Sequence, residues 1–311
     1  MRSKPRIGLA LGGGGARGWA HVGVIRALQE AHIEVGWVAG TSIGAIVGAY
    51  LAAGKLELLQ EFVENCRAAQ LLQFADPVLP RTGLLDGNRI QAFMERQLGS
   101  CRIEELDLPF ACVAVDLADG HAVVMQRGRL PAAVRASLSV PGLFTPVTRA
   151  GMRLVDGGLV NPLPIDVARR LGADSVIAVD LNRHLECRAR GAPATGTGGS
   201  GIAAALLADL PNAPPWLKRL FGRRSGTGAG RDRQTRAADA GLFEILNATV
   251  VIMERAITTG RLPGDAPELL IQPELGDVHF LDFHRGRELM ARGCEAARKA
   301  LEGFSWTPKQ P

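Results

Sequence analysis

The amino-acid sequence predicts an α/β protein with a mostly parallel central sheet covered by helices on both faces. Three observations lead there. Short apolar runs of strand length alternate with longer runs of helical period, a βαβ rhythm kept along most of the chain. The first two runs, Ile7–Leu11 and Val35–Thr41, are apolar almost throughout instead of alternating, as strands buried on both faces are. Glycine clusters at 12–15 and around 40–44 follow those two strands, where the chain must turn tightly from strand into helix.

Taken in order, residues 7–11 form a strand and residues 16–30 a helix with Val24, Ile25 and Leu28 on one face. The strand at 35–41 leads into a helix at 43–53, and residues 56–70 and 88–98 have helical period. Residues 109–117 and 121–126 are two strands joined by Ala118-Asp119-Gly120, whose Asp-Gly pair favours a tight turn. Residues 152–155 make a short strand into Asp156-Gly157-Gly158, and residues 175–180 a buried strand. A late strand at 269–272 and a final helix at 284–301 complete the pattern, with no internal repeat.

A chain of 311 residues with 47% apolar and 22% charged content has the makings of one large folded domain, here expected to span residues 1–311. Composition shifts to Gly, Ala, Pro, Thr and Arg at 188–240, which marks an insertion serving as a lid or membrane-docking element. Five scattered cysteines without a C-x-x-C pair argue against a disulfide scaffold or a structural zinc site and for a reducing, cytoplasmic setting. The net charge of +5 leans weakly towards anionic partners. Arg2, Lys4 and Arg6 before an apolar run imitate a signal peptide, but four glycines and Arg17 follow instead of a cleavage site. Residues 35–54 lack charge and could span a bilayer by length, yet five glycines and a serine motif inside them fit a buried strand and helix better.

The chemistry centres on Gly40-Thr41-Ser42-Ile43-Gly44, a G-x-S-x-G turn between strand and helix. Such a turn projects the serine hydroxyl off the sheet edge, with the positive end of the following helix beside it. The base expected for Ser42 is Asp156, which ends an apolar strand where Gly157-Gly158 turns the chain away. By strand alternation Asp156 shares a face with Leu154 while Arg153 points oppositely, so burial would raise its pKa and make it a better proton acceptor. The loop Gly12-Gly13-Gly14-Gly15-Ala16-Arg17-Gly18 opens a helix, and the N–H groups of Gly13, Gly14 and Gly15 are candidates for an oxyanion hole. Arg17 either holds that loop in shape or meets a lipid phosphate. His21 is read as a packed core histidine.

Two other readings compete. A Ser-His-Asp esterase for small soluble esters would recruit His279 or His284. A nucleotide-binding module would use Gly13-x-Gly15-x-x-Gly18, but no acid ends the second strand to hold a ribose. Trp19 also stands where a phosphate-loop lysine would be required.

Three motifs in order, Gly13-Gly14-Gly15-Ala16-Arg17-Gly18, Gly40-Thr41-Ser42-Ile43-Gly44 and Asp156-Gly157-Gly158, resemble those of the patatin-like phospholipase family, in particular its bacterial branch related to neuropathy target esterase. Residues 137–144, Ser-Leu-Ser-Val-Pro-Gly-Leu-Phe, look like the segment preceding the aspartate in that family. The resemblance covers residues 6–182 and returns at 242–301. It implies a three-layer patatin-like fold and a Ser–Asp dyad of Ser42 and Asp156 without histidine. It further implies phospholipid or lysophospholipid esters as substrates, no metal or other cofactor for the chemistry, and no nucleic-acid partner. Within the insertion, helical geometry would put Trp216, Leu217, Leu220 and Phe221 on one side and Lys218 and Arg219 on another, a pattern suited to peripheral contact with an anionic membrane.

Overall fold

The computed structural model describes residues 7–78, 83–183 and 242–304. The insertion at 188–240, with the expected membrane-facing residues Trp216, Leu217, Leu220 and Phe221, lies outside the described residues.

An eight-stranded sheet organises the fold. Its strands are β1 (Ile7–Leu11), β2 (Val35–Thr41), β4 (Phe110–Asp116), β5 (Ala122–Met125), β7 (Val147–Arg149), β8 (Met152–Asp156), β9 (Ser175–Val179) and β10 (Leu269–Ile271). A hydrogen-bonded path runs β10-β9-β1-β2-β4-β8-β7, and β5 pairs separately with β4. The pairs from β10 to β4 are parallel, whereas β5, β8 and β7 join antiparallel. The expected mostly parallel sheet is therefore present, with an antiparallel flank that supplies the aspartate. A two-stranded sheet of β3 (Gly83–Leu85) and β6 (Gly142–Phe144) stands apart from it.

Helices cover both faces, as full burial of β1 and β9 demands. One core holds α1 (Trp19–Glu30), α2 (Ile43–Ala52), α3 (Leu56–Asn65), α5 (Asn88–Leu98), α6 (Leu130–Ser137) and α9 (Gly286–Glu302) against residues such as Leu9, Leu11 and Cys112. The other face packs α7 (Ile165–Leu171) against Ala10, Ala39 and Val113. The short α4 (Ala68–Leu71) and the long α8 (Leu242–Arg261) complete the helices named here.

Several boundaries differ from expectation. The first helix starts at Trp19, because Gly15–Gly18 forms a 3-10 turn that tightens the glycine loop. The helix expected at 56–70 breaks at Cys66, whose backbone is extended, into α3 and α4. The apolar stretch at 35–54 is strand plus helix. No helix among the described residues is long and apolar enough to cross a membrane.

Candidate active site

Ser42 sits between β2 and α2 with φ 56° and ψ −124°, a left-handed conformation that a non-glycine residue adopts only under constraint. Holding it there costs roughly 1–3 kcal/mol, which the surrounding contacts must supply. The flanking glycines are steric necessities. A β-carbon on Gly40 would lie 2.5 Å from the Gly44 carbonyl oxygen, and one on Gly44 only 2.2 Å from that of Leu11. The Ser42 amide donates to Ser137 Oγ at 3.0 Å, and Ser137 in turn donates to the Val113 carbonyl at 2.6 Å. Ser137 thus straps the elbow to β4. It belongs to a segment noted in the sequence, but no local pattern marked its role.

The sheet explains how a residue 114 positions away reaches this serine. Along β4, Thr41 pairs with Val113 and Asp156 with Ala114. Both β2 and β8 overlap β5 in register on β4, so both must occupy the edge opposite β5. On that one edge the C-terminal ends of β2 and β8 meet head to head. Ser42 Oγ donates to Asp156 Oδ2 at 2.6 Å, and Asp156 Oδ1 accepts from the Gly158 amide at 2.8 Å. Both side chains are buried. Burial pushes the Asp156 carboxyl up to about 6, against the opposing pull of the Ser42 and Gly158 hydrogen bonds.

The glycine loop is held from three sides. The Gly12 amide donates to Val179, the Gly13 amide to Pro162 at 3.0 Å, and the Ala16 amide to Phe280. Gly13 therefore cannot offer its N–H as expected: the Pro162 carbonyl already takes it. The amides of Gly14 and Gly15 donate to no described residue. Arg17 is buried, and its Nε donates to the Gly14 carbonyl at 3.0 Å, which matches the loop-holding alternative. His21 Nε2 donates to the Gly12 carbonyl at 2.8 Å, and burial lowers its pKa to about 4. It is a neutral core histidine that braces the loop. No described histidine hydrogen-bonds to Ser42 or Asp156, so His279 and His284 do not complete a triad in this geometry.

A second acid stands behind this pair. Glu254 on α8 is buried, and its Oε2 accepts from Asn182 Nδ2 at 3.1 Å. The position of a β-carbon on Gly158 lies 2.1 Å from Glu254 Oε1 and 3.1 Å from Asp156 Oδ1, and Oε1 is 3.4 Å from the same position on Gly13. Burial, then the charge of Asp156, raise the Glu254 carboxyl to about 8. Sequence reasoning missed it because it lies beyond the insertion, in no motif. A lone acid after Val250-Val251-Ile252-Met253 was the available signal.

Ser42 also lines a cavity of about 180 Å3, whose walls include Trp19, Ile46, Tyr50, Phe62, Phe93 and Phe144. Among the described residues, no charged side chain lines it. The polar tips of Trp19 and Tyr50 are engaged elsewhere, with the Phe283 carbonyl and Gln97. Ile43, Ile46 and Tyr50 lie on successive turns of α2, so at 1.5 Å per residue the cavity follows the helix for about 12 Å from the serine.

The sequence matches the family model for patatin-like phospholipases over residues 9–169. The chain belongs to this family. It is 36% identical to an NTE family protein of Mycobacterium tuberculosis over 334 residues, covering 97% of this chain and 93% of that protein. It is 38% identical to mouse patatin-like phospholipase domain-containing protein 6 over 186 residues, 58% of this chain but 14% of the mouse protein. Among solved structures, VipD from Legionella pneumophila aligns over 97% of this chain and 67% of its own, with a TM-score of 0.46 and 13% identity. A patatin-like phospholipase is a hydrolase acting on lipid esters, and that broad activity comes with membership. In this patatin-like phospholipase the matched region ends at residue 169, so Asn182 and Glu254 lie outside it.

Proposed function

We propose that this chain cleaves fatty-acyl esters of phospholipids or lysophospholipids with Ser42 as nucleophile and Asp156 as base. The observation that carries the reading is the 2.6 Å hydrogen bond from Ser42 Oγ to Asp156 Oδ2 at the wall of an uncharged cavity. Asp156 takes the hydroxyl proton as Ser42 Oγ attacks the ester carbonyl, and the acyl chain lies along α2. Negative charge then develops on the carbonyl oxygen beside the amides of Gly14 and Gly15, which donate to no described residue, and the N-terminus of α2. Each such donor contributes on the order of 3 kcal/mol to the transition state. Asp156 returns the proton to the leaving alcohol oxygen, which frees the lysophospholipid or, from a lysophospholipid, the glycerophosphodiester product. Water then attacks the acyl-serine by the same route, releasing the fatty acid and restoring Ser42. Arg17 acts through the loop it holds.

The test is labelling with a fluorophosphonate followed by peptide mapping. The adduct is expected on Ser42 and is expected to be lost in Asp156→Asn with the fold intact by circular dichroism. Undiminished labelling in Asp156→Asn, with loss in a His279→Ala, His284→Ala variant, would instead favour a triad.

A further inference from the structure

Among the described residues, six large hydrophobic side chains are exposed, and four of them lie on α8. Ile245 and Ile252 are 53% and 61% exposed, Leu246 and Met253 42% and 41%. Each pair is seven residues apart, two helical turns, so the four form one stripe. Val251, Glu254 and Thr258 lie on the opposite side of the same helix and are buried. The helix thus presents its hydrocarbon outwards and its carboxyl inwards to the dyad. A globular body built only to fold would arrange these the other way round.

The stripe is continuous with the cavity. Leu246 lies over Gly142, its Cδ1 3.3 Å from where a β-carbon on that residue would stand. The next two residues, Leu143 and Phe144, line the cavity that also holds Ser42. Apolar side chains therefore follow one another from Leu246 on α8, over β6, to the cavity lined by Leu143, Phe144 and Ser42. Among the described residues, no charged side chain lines the cavity that an acyl chain would enter.

We propose that the α8 stripe is the surface on which this protein seats on a lipid aggregate, a bilayer or micelle, so that an acyl chain passes from the apolar phase into the cavity. The proposal rests on the acyl-hydrolase reading for the identity of the occupant. The four stripe residues are uncharged, so insertion is apolar in origin and tolerates both zwitterionic lipid and high salt.

The test is flotation of the full chain with phosphatidylcholine vesicles, comparing wild type with Ile252→Asp, Met253→Asp. Both positions are exposed, and neither belongs to the catalytic machinery. A tenfold or greater loss of vesicle binding is expected, with a matching loss of fatty-acid release from vesicles. Turnover of a water-soluble short-chain aryl ester is expected to be unchanged, which shows the site intact. Repeating flotation in Ser42→Ala separates the two ideas, since binding there must persist even if the hydrolase reading fails. Unchanged vesicle binding in the double variant would overturn the proposal. So would a dimer of the wild type that the variant dissolves, or Met253 shielded from hydroxyl-radical oxidation in lipid-free protein, because each would mean that protein covers this face.

Discussion

Replacing Glu254 by glutamine tests the buried second acid through folding stability. Unfolded, this carboxyl ionises near its ordinary value of 4.5; folded, it holds its proton to about 8. Between those values unfolding releases the proton, so rising pH favours the unfolded chain. The penalty is absent below about 4.5 and complete above about 8. Each pH unit in that window costs ~1.4 kcal/mol, which sets a limit of about 5 kcal/mol on the alkaline side. Glutamine removes the ionisation and keeps a carbonyl oxygen for Asn182 Nδ2. Its amide also stays close to Gly158, as the carboxyl does. The variant should therefore be more stable than wild type by about 1 kcal/mol near pH 5.5 and by several kcal/mol above about pH 8. At ~2 °C per kcal/mol for a chain of this size, thermal unfolding should show a gap that widens to roughly 10 °C. Because the carboxyl is neutral at neutral pH, turnover there should survive. A gap that stays constant with pH, or a wild type more stable at alkaline pH, would refute the reasoning. Glu254 would then be ionised in the fold and held by a cation.

Asp156 must be ionised to accept the Ser42 proton, so kcat/KM should fall about tenfold for each pH unit below about 6. A profile on a soluble ester that stays flat well below that value would exclude Asp156 as the base. Ser137→Ala leaves the Ser42 amide and the Val113 carbonyl without their shared partner, costing on the order of 1–3 kcal/mol. Lower kcat and a lower melting temperature are expected, and wild-type values for both would dismiss the strap. Ile46→Trp narrows the cavity partway along α2 and should depress turnover of long-chain esters while sparing short ones. Equal losses at every chain length, measured across a series of esters, would show that the acyl chain lies elsewhere.

The elbow was legible because its causes are local. Gly40 and Gly44 are excluded from carrying side chains by contacts within one turn and with the neighbouring strand, and the strand–helix rhythm around them follows from hydrophobic period alone. Asn88–Leu98 was likewise foreseen to the residue from its helical period. The elements that escaped include the short α6, α7, β7 and the β3–β6 pair, whose burial depends on what packs over them, and the long α8, which follows the compositionally biased insertion. The Gly13 amide shows the limit within the site itself. Its sequence neighbourhood marks it as a donor, while a carbonyl 149 positions away has already claimed its proton.

Hydrophobic period and the placing of glycines suffice to put a serine at a sharp turn between strand and helix, near a glycine loop, in a sheet buried on both faces. Steric exclusion and side-chain period act over a few residues, and a single chain displays them in full. The meeting of the β2 and β8 ends on one edge of β4 is set by folding and not by any local pattern. The same holds for the position of Glu254 behind Asp156 and for the outward-facing hydrocarbon of α8. Those outcomes depend on strand register and on which groups lose water together, and both are properties of segments brought side by side from distant parts of the chain.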